Sequence, residues 1–133
     1  MSFKLTSMSL PVLLSYETAV ASASPPAAIK YSRSYDACIA QAEGSDPAMS
    51  ECLLDELDIQ DAKLNQTYKL VMRRLTQPKK IELRNLQRAW IVKRDRQCER
   101  AAAPEQGGTL YLILYRSCLV DETLERTRFL ENY

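Results

Sequence analysis

The sequence predicts an all-α protein, a small antiparallel bundle of three main helices and a short N-terminal helix, held together by two disulfides. Three observations predict it. Glycine occurs only three times, at Gly44, Gly107 and Gly108, which marks two breaks rather than a series of hairpins. Apolar residues recur at helical spacing over long stretches without proline. The four cysteines are an even number, as in the disulfide framework of an exported protein.

Residues 1–23 are predicted to be a signal peptide. Lys4 supplies a positive start, residues 5–15 an apolar stretch, and residues 19–21 or 21–23 a small-x-small cleavage site. The alternative is a disordered leader on a cytoplasmic protein with reduced thiols in its core. No later apolar run approaches the roughly 20 residues that a transmembrane segment needs. The mature chain is therefore expected in the periplasm or outside the cell.

A flexible lead-in is predicted for residues 24–34, because Pro25 and Pro26 oppose regular structure. A short helix is predicted to follow over residues 35–43, where Gly44 ends it. These segments precede the main bundle.

The longest predicted element is an amphipathic helix of about 30 residues, which begins after Asp46 as N-cap and ends before Pro78. Pro47 suits the first turn, because its missing N–H would have no partner there. The apolar positions of this helix are Met49, Leu53, Leu57, Leu64, Tyr68, Val71 and Leu75.

Two further helices complete the predicted bundle. One extends from Pro78 to about Arg100 and is followed by a loop over residues 101–108, because Pro104 and the glycine pair oppose a helix. Thr109 is the predicted cap of the last helix. Short connections between long helices imply antiparallel neighbours. The predicted apolar faces contain Leu83, Leu86, Trp90 and Cys98, then Leu112, Tyr115, Leu119 and Leu130, with Leu114 and Cys118 beside them.

The cysteines are expected to form two sequential disulfides. A bond from Cys38 to Cys52 would tie the short helix to the long one, and a bond from Cys98 to Cys118 would close the loop over residues 101–108. This pairing distorts the chain least among the three that four cysteines allow. Each bond is worth on the order of 3 kcal/mol in the chain-entropy model. A metal site built from all four cysteines lacks a closely spaced cysteine pair, and no metal or other cofactor is predicted.

Composition argues against catalysis. The chain contains no histidine, which removes the imidazole base and the Cys/His nucleophile pair. Glu51, Asp55 and Asp58 share a helix face, and two carboxylates can hydrolyse a glycoside. Acidic residues in the first turns of a helix ordinarily complement its dipole, and a small bundle offers little concavity. We therefore expect no enzymatic activity.

A basic run on the second long helix does not indicate nucleic-acid binding. Its members wind around the helix, and acidic residues are about as abundant in a chain whose net charge is only +1. A solvated, internally paired surface is expected instead. The run consists of Arg84, Arg88, Lys93, Arg94, Arg96 and Arg100.

Three groups of residues resemble a known family. The first group is Asp61, Leu64, Asn65 and Tyr68. The second is Leu83-Arg84-x-x-Gln87-Arg88-Ala89-Trp90-Ile91-x-x-Arg94-Asp95-x-x-Cys98. The third is Gly107-Gly108-Thr109 with Cys118, Thr123 and Arg126. In this order, over about residues 35–130, they resemble the bacterial lysozyme-inhibitor LprI-like N-terminal domain family.

The resemblance implies that residues 35–133 form one helical domain of a secreted or envelope-associated protein that inhibits a lysozyme by protein contact. The expected partner is a lysozyme or another peptidoglycan-degrading enzyme. The alternative is an immunity or envelope-maintenance protein that binds a dedicated wall-degrading toxin or another envelope partner. The chain lacks the lipobox-type cysteine of the family's lipoprotein members, which does not favour a lipid anchor. The oligomeric state stays open.

The motif residues have expected structural roles. Trp90 is expected in the core, where its indole N–H finds a partner. Arg88, Arg94 and Asp95 are expected to brace the helices, and presentation to a partner is the alternative. A polar contact between helices is predicted for Asp61, Asn65 and Tyr68.

The predicted partner-binding element is the loop between the last two helices. An inhibitor of a carboxylate-lined cleft needs a rigid element that presents arginines or backbone N–H groups. The bond from Cys98 to Cys118 would hold this loop rigid. The predicted contact residues are Arg96, Arg100, Gly107, Gly108 and Thr109.

Overall fold

The computed structural model describes residues 31–133. The predicted signal peptide and most of the predicted lead-in lie outside these residues. Within them the chain forms four α-helices, one short 3-10 turn and no strand, which confirms the predicted all-α class. The elements are α1 (Arg33–Ala42), α2 (Asp46–Arg74), α3 (Gln77–Ala102), the 3-10 turn Ala103–Glu105 and α4 (Leu110–Glu131).

Helices α1 and α2 start at slightly different residues from those predicted, and α3 starts at Gln77, one residue before the predicted Pro78. Helix α1 begins at Arg33, two residues before the predicted start, because the Ser32 hydroxyl accepts a hydrogen bond of 3.1 Å from the Tyr35 backbone N–H. Helix α2 has Ser45 as its N-cap, so Asp46 is its first helical residue and not the predicted cap. Each of these differences is one or two residues at a helix end.

Helix α4 is the element against which the bundle packs. It makes its most extensive contacts with α2 and a second set with α3, whereas α2 and α3 make little direct contact with each other. The buried apolar cluster draws Leu64 and Val71 from α2, Leu83 from α3 and Leu130 from α4. Burying each of these side chains contributes about 1.5–3 kcal/mol relative to leaving it exposed.

The predicted apolar faces are correct for most of α2 and less so for α3 and α4. Leu86 and Leu112, predicted to be buried, are 43% and 45% exposed. Among the 26 residues of α3, only Leu83, Cys98 and Ala102 are buried. The physical reason is that α3 packs mainly against one neighbour, α4, so a narrow stripe of α3 suffices for the core.

Both predicted disulfides are present. Cys38–Cys52 joins α1 to α2 with a Cα–Cα distance of 5.7 Å, and Cys98–Cys118 joins α3 to α4 with a distance of 5.5 Å. These bonds use all four cysteines of the chain. Over residues 31–133, no helix is long and apolar enough to cross a membrane, and no cluster of His, Cys, Asp or Glu is placed to hold a metal.

A buried carboxylate fixes the start of α1. Glu56 of α2 is 1% exposed and accepts hydrogen bonds from the Ser32 backbone N–H at 2.9 Å, the Ser32 hydroxyl and the Gln60 amide at 2.6 Å. Nearby, the Tyr31 hydroxyl donates to Asp121 of α4 at 2.6 Å. Burial raises the pKa of Tyr31, and the Asp121 carboxylate raises it further. These bonds attach the start of the described chain to both α2 and α4.

Candidate functional site

An open groove of about 360 Å³ lies between α2 and α3. It exists because both helices pack against α4 and make little contact with each other. We call it the α2–α3 groove. Its lining residues are Asp61, Leu64, Asn65 and Tyr68 of α2, with Arg84, Gln87, Arg88, Trp90, Ile91 and Arg94 of α3.

All ten lining residues of the α2–α3 groove are among those that carry the family resemblance. They include the whole first group of motif residues and most of the second group. The two groups lie on different helices and meet only in the folded chain. The motif therefore describes one surface of the protein.

Arg94 is the fixed cation of the α2–α3 groove. Its Nη1 donates to the Thr123 hydroxyl of α4 at 3.3 Å and lies 3.6 Å from Asp61 Oδ1 of α2. Its Nε donates to Asp95 Oδ1 at 2.9 Å, and its guanidinium carbon lies 5.1 Å from the centre of the Trp90 ring. The side chain is only 15% exposed, so one arginine connects three helices.

Asp61 is the single carboxylate among the lining residues of the α2–α3 groove. Burial raises its pKa above the usual aspartate value, and Asp58 and Asp95 raise it further, whereas the Arg94 guanidinium lowers it. Loss of hydration is the larger effect. The negative charge of Asp61 is therefore held beside Arg94 at a cost in solvation.

A second guanidinium lies behind the groove. Trp90 is half-buried and packs against the apolar cluster. The Arg126 guanidinium of α4 lies 5.5 Å from the Trp90 ring centre and 4.3 Å from that of Phe129. Its Nε donates to Gln87 Oε1 at 2.8 Å, and its buried Nη2 has no hydrogen-bond partner among the described residues. Burial lowers the pKa of Arg126, because the charged form loses hydration.

Arg84 and Arg88 differ from these two fixed cations. They lie one turn apart on α3, and both are exposed. Within residues 31–133, neither makes an ion pair or a side-chain hydrogen bond. Each therefore retains the full planar set of guanidinium donors for a ligand.

The motif residues divide into braces and free groups. Arg94 contacts three helices, as a brace does, but Arg88 makes no such contact. A polar contact between helices was predicted for Asp61, Asn65 and Tyr68. Among these three residues, only Asp61 makes one, with Arg94 of α3. Asn65 is exposed and makes no side-chain hydrogen bond within the described chain, because the groove separates it from α3. Tyr68 packs against the apolar cluster instead.

The predicted contact loop is a short, ordered tip. Helix α3 continues to Ala102, and the 3-10 turn Ala103–Glu105 replaces much of the expected loop. The Gly108 N–H then donates to the Glu105 carbonyl at 2.9 Å. Gly107 has a φ of 86°, in the left-handed region that glycine adopts without strain. We call residues 103–109 the tip.

The structure brings only some of the predicted contact residues together. Thr109 is at the N-cap position of α4, but its hydroxyl donates to Asp46 Oδ2 of α2 at 2.6 Å and does not cap the helix. Arg100 lies beside the tip, where it shares a shallow pocket with Tyr111. Arg96 lies one turn before Arg100 on α3, and both arginines are exposed.

Sequence reasoning did not predict the α2–α3 groove, although a signal for it exists. Helix α3 carries several large apolar residues that lie off its buried stripe and are exposed. Such a helix has a face that the rest of the domain leaves uncovered. The exposed members on one side of α3 are Ile81, Ile91 and Val92, whereas the exposed Leu86 lies on the opposite side.

The fold and the groove define a small disulfide-bonded helical protein with an uncovered, arginine-rich face. More specifically, the chain belongs to the lysozyme inhibitor LprI family, whose model matches residues 38–130. It is also similar to an uncharacterized protein of Rhizobium meliloti strain 1021, with 38% identity over 80 residues that cover 50% of this chain and 58% of that protein. The chain therefore spans somewhat over half the length of this relative. No solved structure matches the chain.

Proposed function

We propose that this protein is an extracytoplasmic binding protein that inhibits a lysozyme or a related muramidase by protein contact. The observation that carries the proposal is the match to the lysozyme inhibitor LprI family over residues 38–130. On this proposal, the protein catalyses no reaction of its own.

The disulfides support the compartment. Structural disulfides persist in the periplasm and outside the cell, whereas the cytosol keeps most thiols reduced. In this chain all four cysteines are paired, one pair at each of two helix junctions. The predicted signal peptide over residues 1–23 agrees with export. We therefore place the protein in the periplasm or among secreted proteins.

The surface supports inhibition by contact. Muramidases act with a pair of carboxylates beside the scissile glycosidic bond, and exposed arginines complement such acidic groups. Both disulfides and the braces around Arg94 and Glu56 fix the helices before binding, which reduces the entropic cost of association. By contrast, the carboxylates considered for catalysis are engaged or solvated: Glu51 pairs with Arg116 at 3.0 Å and Asp58 is exposed.

A lysis assay tests the proposal. The oxidised protein is added to lysozymes of several classes, and the turbidity of a peptidoglycan suspension is followed. We expect lysis to slow until a fixed stoichiometry is reached. The control is the same protein with its disulfides reduced and alkylated, which should inhibit less. No inhibition of any class at tens of micromolar, about the affinity of a weak complex, would contradict the proposal.

A further inference from the structure

We propose that the α2–α3 groove is the surface on which the partner protein docks, with Arg84 and Arg88 binding carboxylates of an acidic segment of that partner. This inference deepens the proposed function and rests on it for the identity of the partner. The chemistry assigned to the groove can be tested without the partner.

The first argument is the uncovered face of α3. Three large apolar side chains on one side of this helix are exposed: Ile81 by 49%, Ile91 by 41% and Val92 by 52%. Exposed apolar residues that adjoin each other and are rimmed by charged residues are typical of interaction sites.

The free arginines lie on the same stripe as two of these residues. Ile81, Arg84, Arg88 and Ile91 follow each other at spacings of three, four and three, so their side chains share one side of α3. Both Arg88 and Ile91 line the groove. Apolar area and positive charge therefore coincide at the groove and its α3 rim.

The second argument is charge. Three arginines and one aspartate line the groove, and that aspartate, Asp61, is already beside Arg94. Arg84 and Arg88 remain without an anionic partner in the described part of the chain. A planar guanidinium binds a carboxylate through two parallel hydrogen bonds. A carboxylate-bearing ligand is therefore the match for this surface.

The third argument favours a protein segment over a sugar. Sugars bind by stacking on aromatic rings, but the Trp90 ring is already contacted by the guanidinium groups of Arg94 at 5.1 Å and Arg126 at 5.5 Å. Trp, Tyr and Arg are the residue types that carry most of the binding energy at protein interfaces. Tyr68 and the arginines supply two of these types in one groove.

The groove is also fixed in shape before binding. Arg94 is held by hydrogen bonds to two helices, and Arg126 is held by Gln87 and two aromatic rings. Only Arg84 and Arg88 have to be ordered when an acidic segment binds. A small ordering cost favours affinity.

The intrinsic fluorescence of the protein reports on this groove directly, because Trp90 is the only tryptophan of the chain. The full oxidised protein is titrated with the peptide Ac-GEEGEEG-amide and, as a neutral control, with Ac-GQQGQQG-amide. We expect a saturable change in Trp90 emission with the glutamate peptide alone. The change should weaken with added salt, because the groove is open to solvent.

Two matched double variants locate the binding. R84E/R88E reverses the two groove arginines, and R96E/R100E reverses two exposed arginines with the same spacing on the same helix. We expect R84E/R88E to lower the affinity for the glutamate peptide by at least about tenfold, and R96E/R100E to lower it by no more than about twofold. R84K/R88K keeps the charge but loses the planar fork, so it should fall between them. Circular dichroism checks that each variant retains its helices.

The outcomes separate this inference from the proposed function. No response of Trp90 to the glutamate peptide, or an equal loss in both double variants, would overturn the groove as the binding surface. Inhibition of lysis without a Trp90 response would support the proposed function and contradict the assignment of the groove as the binding surface. A Trp90 response that depends on Arg84 and Arg88, without inhibition of any lysozyme, would support the groove as a binding surface and contradict a muramidase as its partner.

Discussion

The tip and the α2–α3 groove both have a pair of exposed arginines nearby, one turn apart on α3, but they differ in what surrounds these arginines. At the tip, backbone hydrogen bonds and the bond from Thr109 to Asp46 use the local polar groups. In the groove, fixed residues such as Arg94 lie next to Arg84 and Arg88, which have no partner within the described residues. Turn signals in a sequence therefore mark where a chain reverses, whereas a binding surface depends on which helix faces the fold leaves uncovered.

The largest expected effect is on stability, at the disulfide that supports the tip. Cys98→Ser should lower the free energy of unfolding by on the order of 3 kcal/mol and the melting temperature by on the order of 15 °C. Adding Cys118→Ser should cost little more, because its bond is already gone. Cys38→Ser should add independently, since the two bonds share no residue. Thermal melts followed by circular dichroism measure these three variants and the Cys38→Ser/Cys98→Ser double variant, and a second large loss on adding Cys118→Ser would refute the pairing as the source of stability.

The next largest expected effect is the loss of stability when one of two buried arginines that connect helices is removed. Arg94→Ala and Arg116→Ala should each destabilise the fold by about 1–3 kcal/mol, because each side chain is largely buried and leaves hydrogen-bond partners unpaired. Arg116 donates to the Ser50 carbonyl at 2.7 Å and to its hydroxyl at 2.9 Å, near the tip end of α2. Only Arg94→Ala should also lower the affinity for the glutamate peptide, because Arg94 lines the groove and Arg116 does not. Urea unfolding and the Trp90 titration give the two readouts, and equal loss of peptide binding in both variants would contradict the assignment.

The sequence was sufficient for features that depend on local signals. The proline and glycine positions predict the end of α3 within two residues and the end of α2 within about three, and sequential cysteines on neighbouring helices predict both disulfides. The groove depends on which helices pack against α4, and no local pattern contains that information. For the same reason Arg88 and Asn65 were predicted as contacts between helices, whereas the structure leaves both exposed.

A smaller effect tests the attachment of the tip. Thr109→Val removes the hydrogen bond from the Thr109 hydroxyl to Asp46. Because this bond is exposed to solvent, the free energy of unfolding should fall by only about 0.5–1.5 kcal/mol. Faster amide hydrogen exchange at residues 106–110 should accompany it. The affinity of the groove for the glutamate peptide should not change. Weaker peptide binding in this variant would show that the tip contributes to the same surface.

The smallest effect concerns the pH dependence of Asp61. The pKa of Asp61 is raised in the folded protein, so the folded state binds a proton more tightly than the unfolded state. The contribution of Asp61 to stability is therefore greatest at low pH and decreases as the pH rises through the usual aspartate range. Relative to Asp61→Asn, the wild type should be more favoured at pH about 3 than at pH about 7. Urea unfolding of both proteins at both pH values measures this, and a difference that grows with pH would contradict the sign.

On the proposal above, the groove holds the partner and the tip does not. The most direct test measures inhibition of muramidase-driven lysis by the wild type, R84E/R88E and R96E/R100E at equal concentrations. We expect R84E/R88E to lose at least about tenfold in inhibitory potency while R96E/R100E stays within about twofold of the wild type. The reverse result, with full inhibition by R84E/R88E and loss in R96E/R100E, would contradict it and place the contact at the tip.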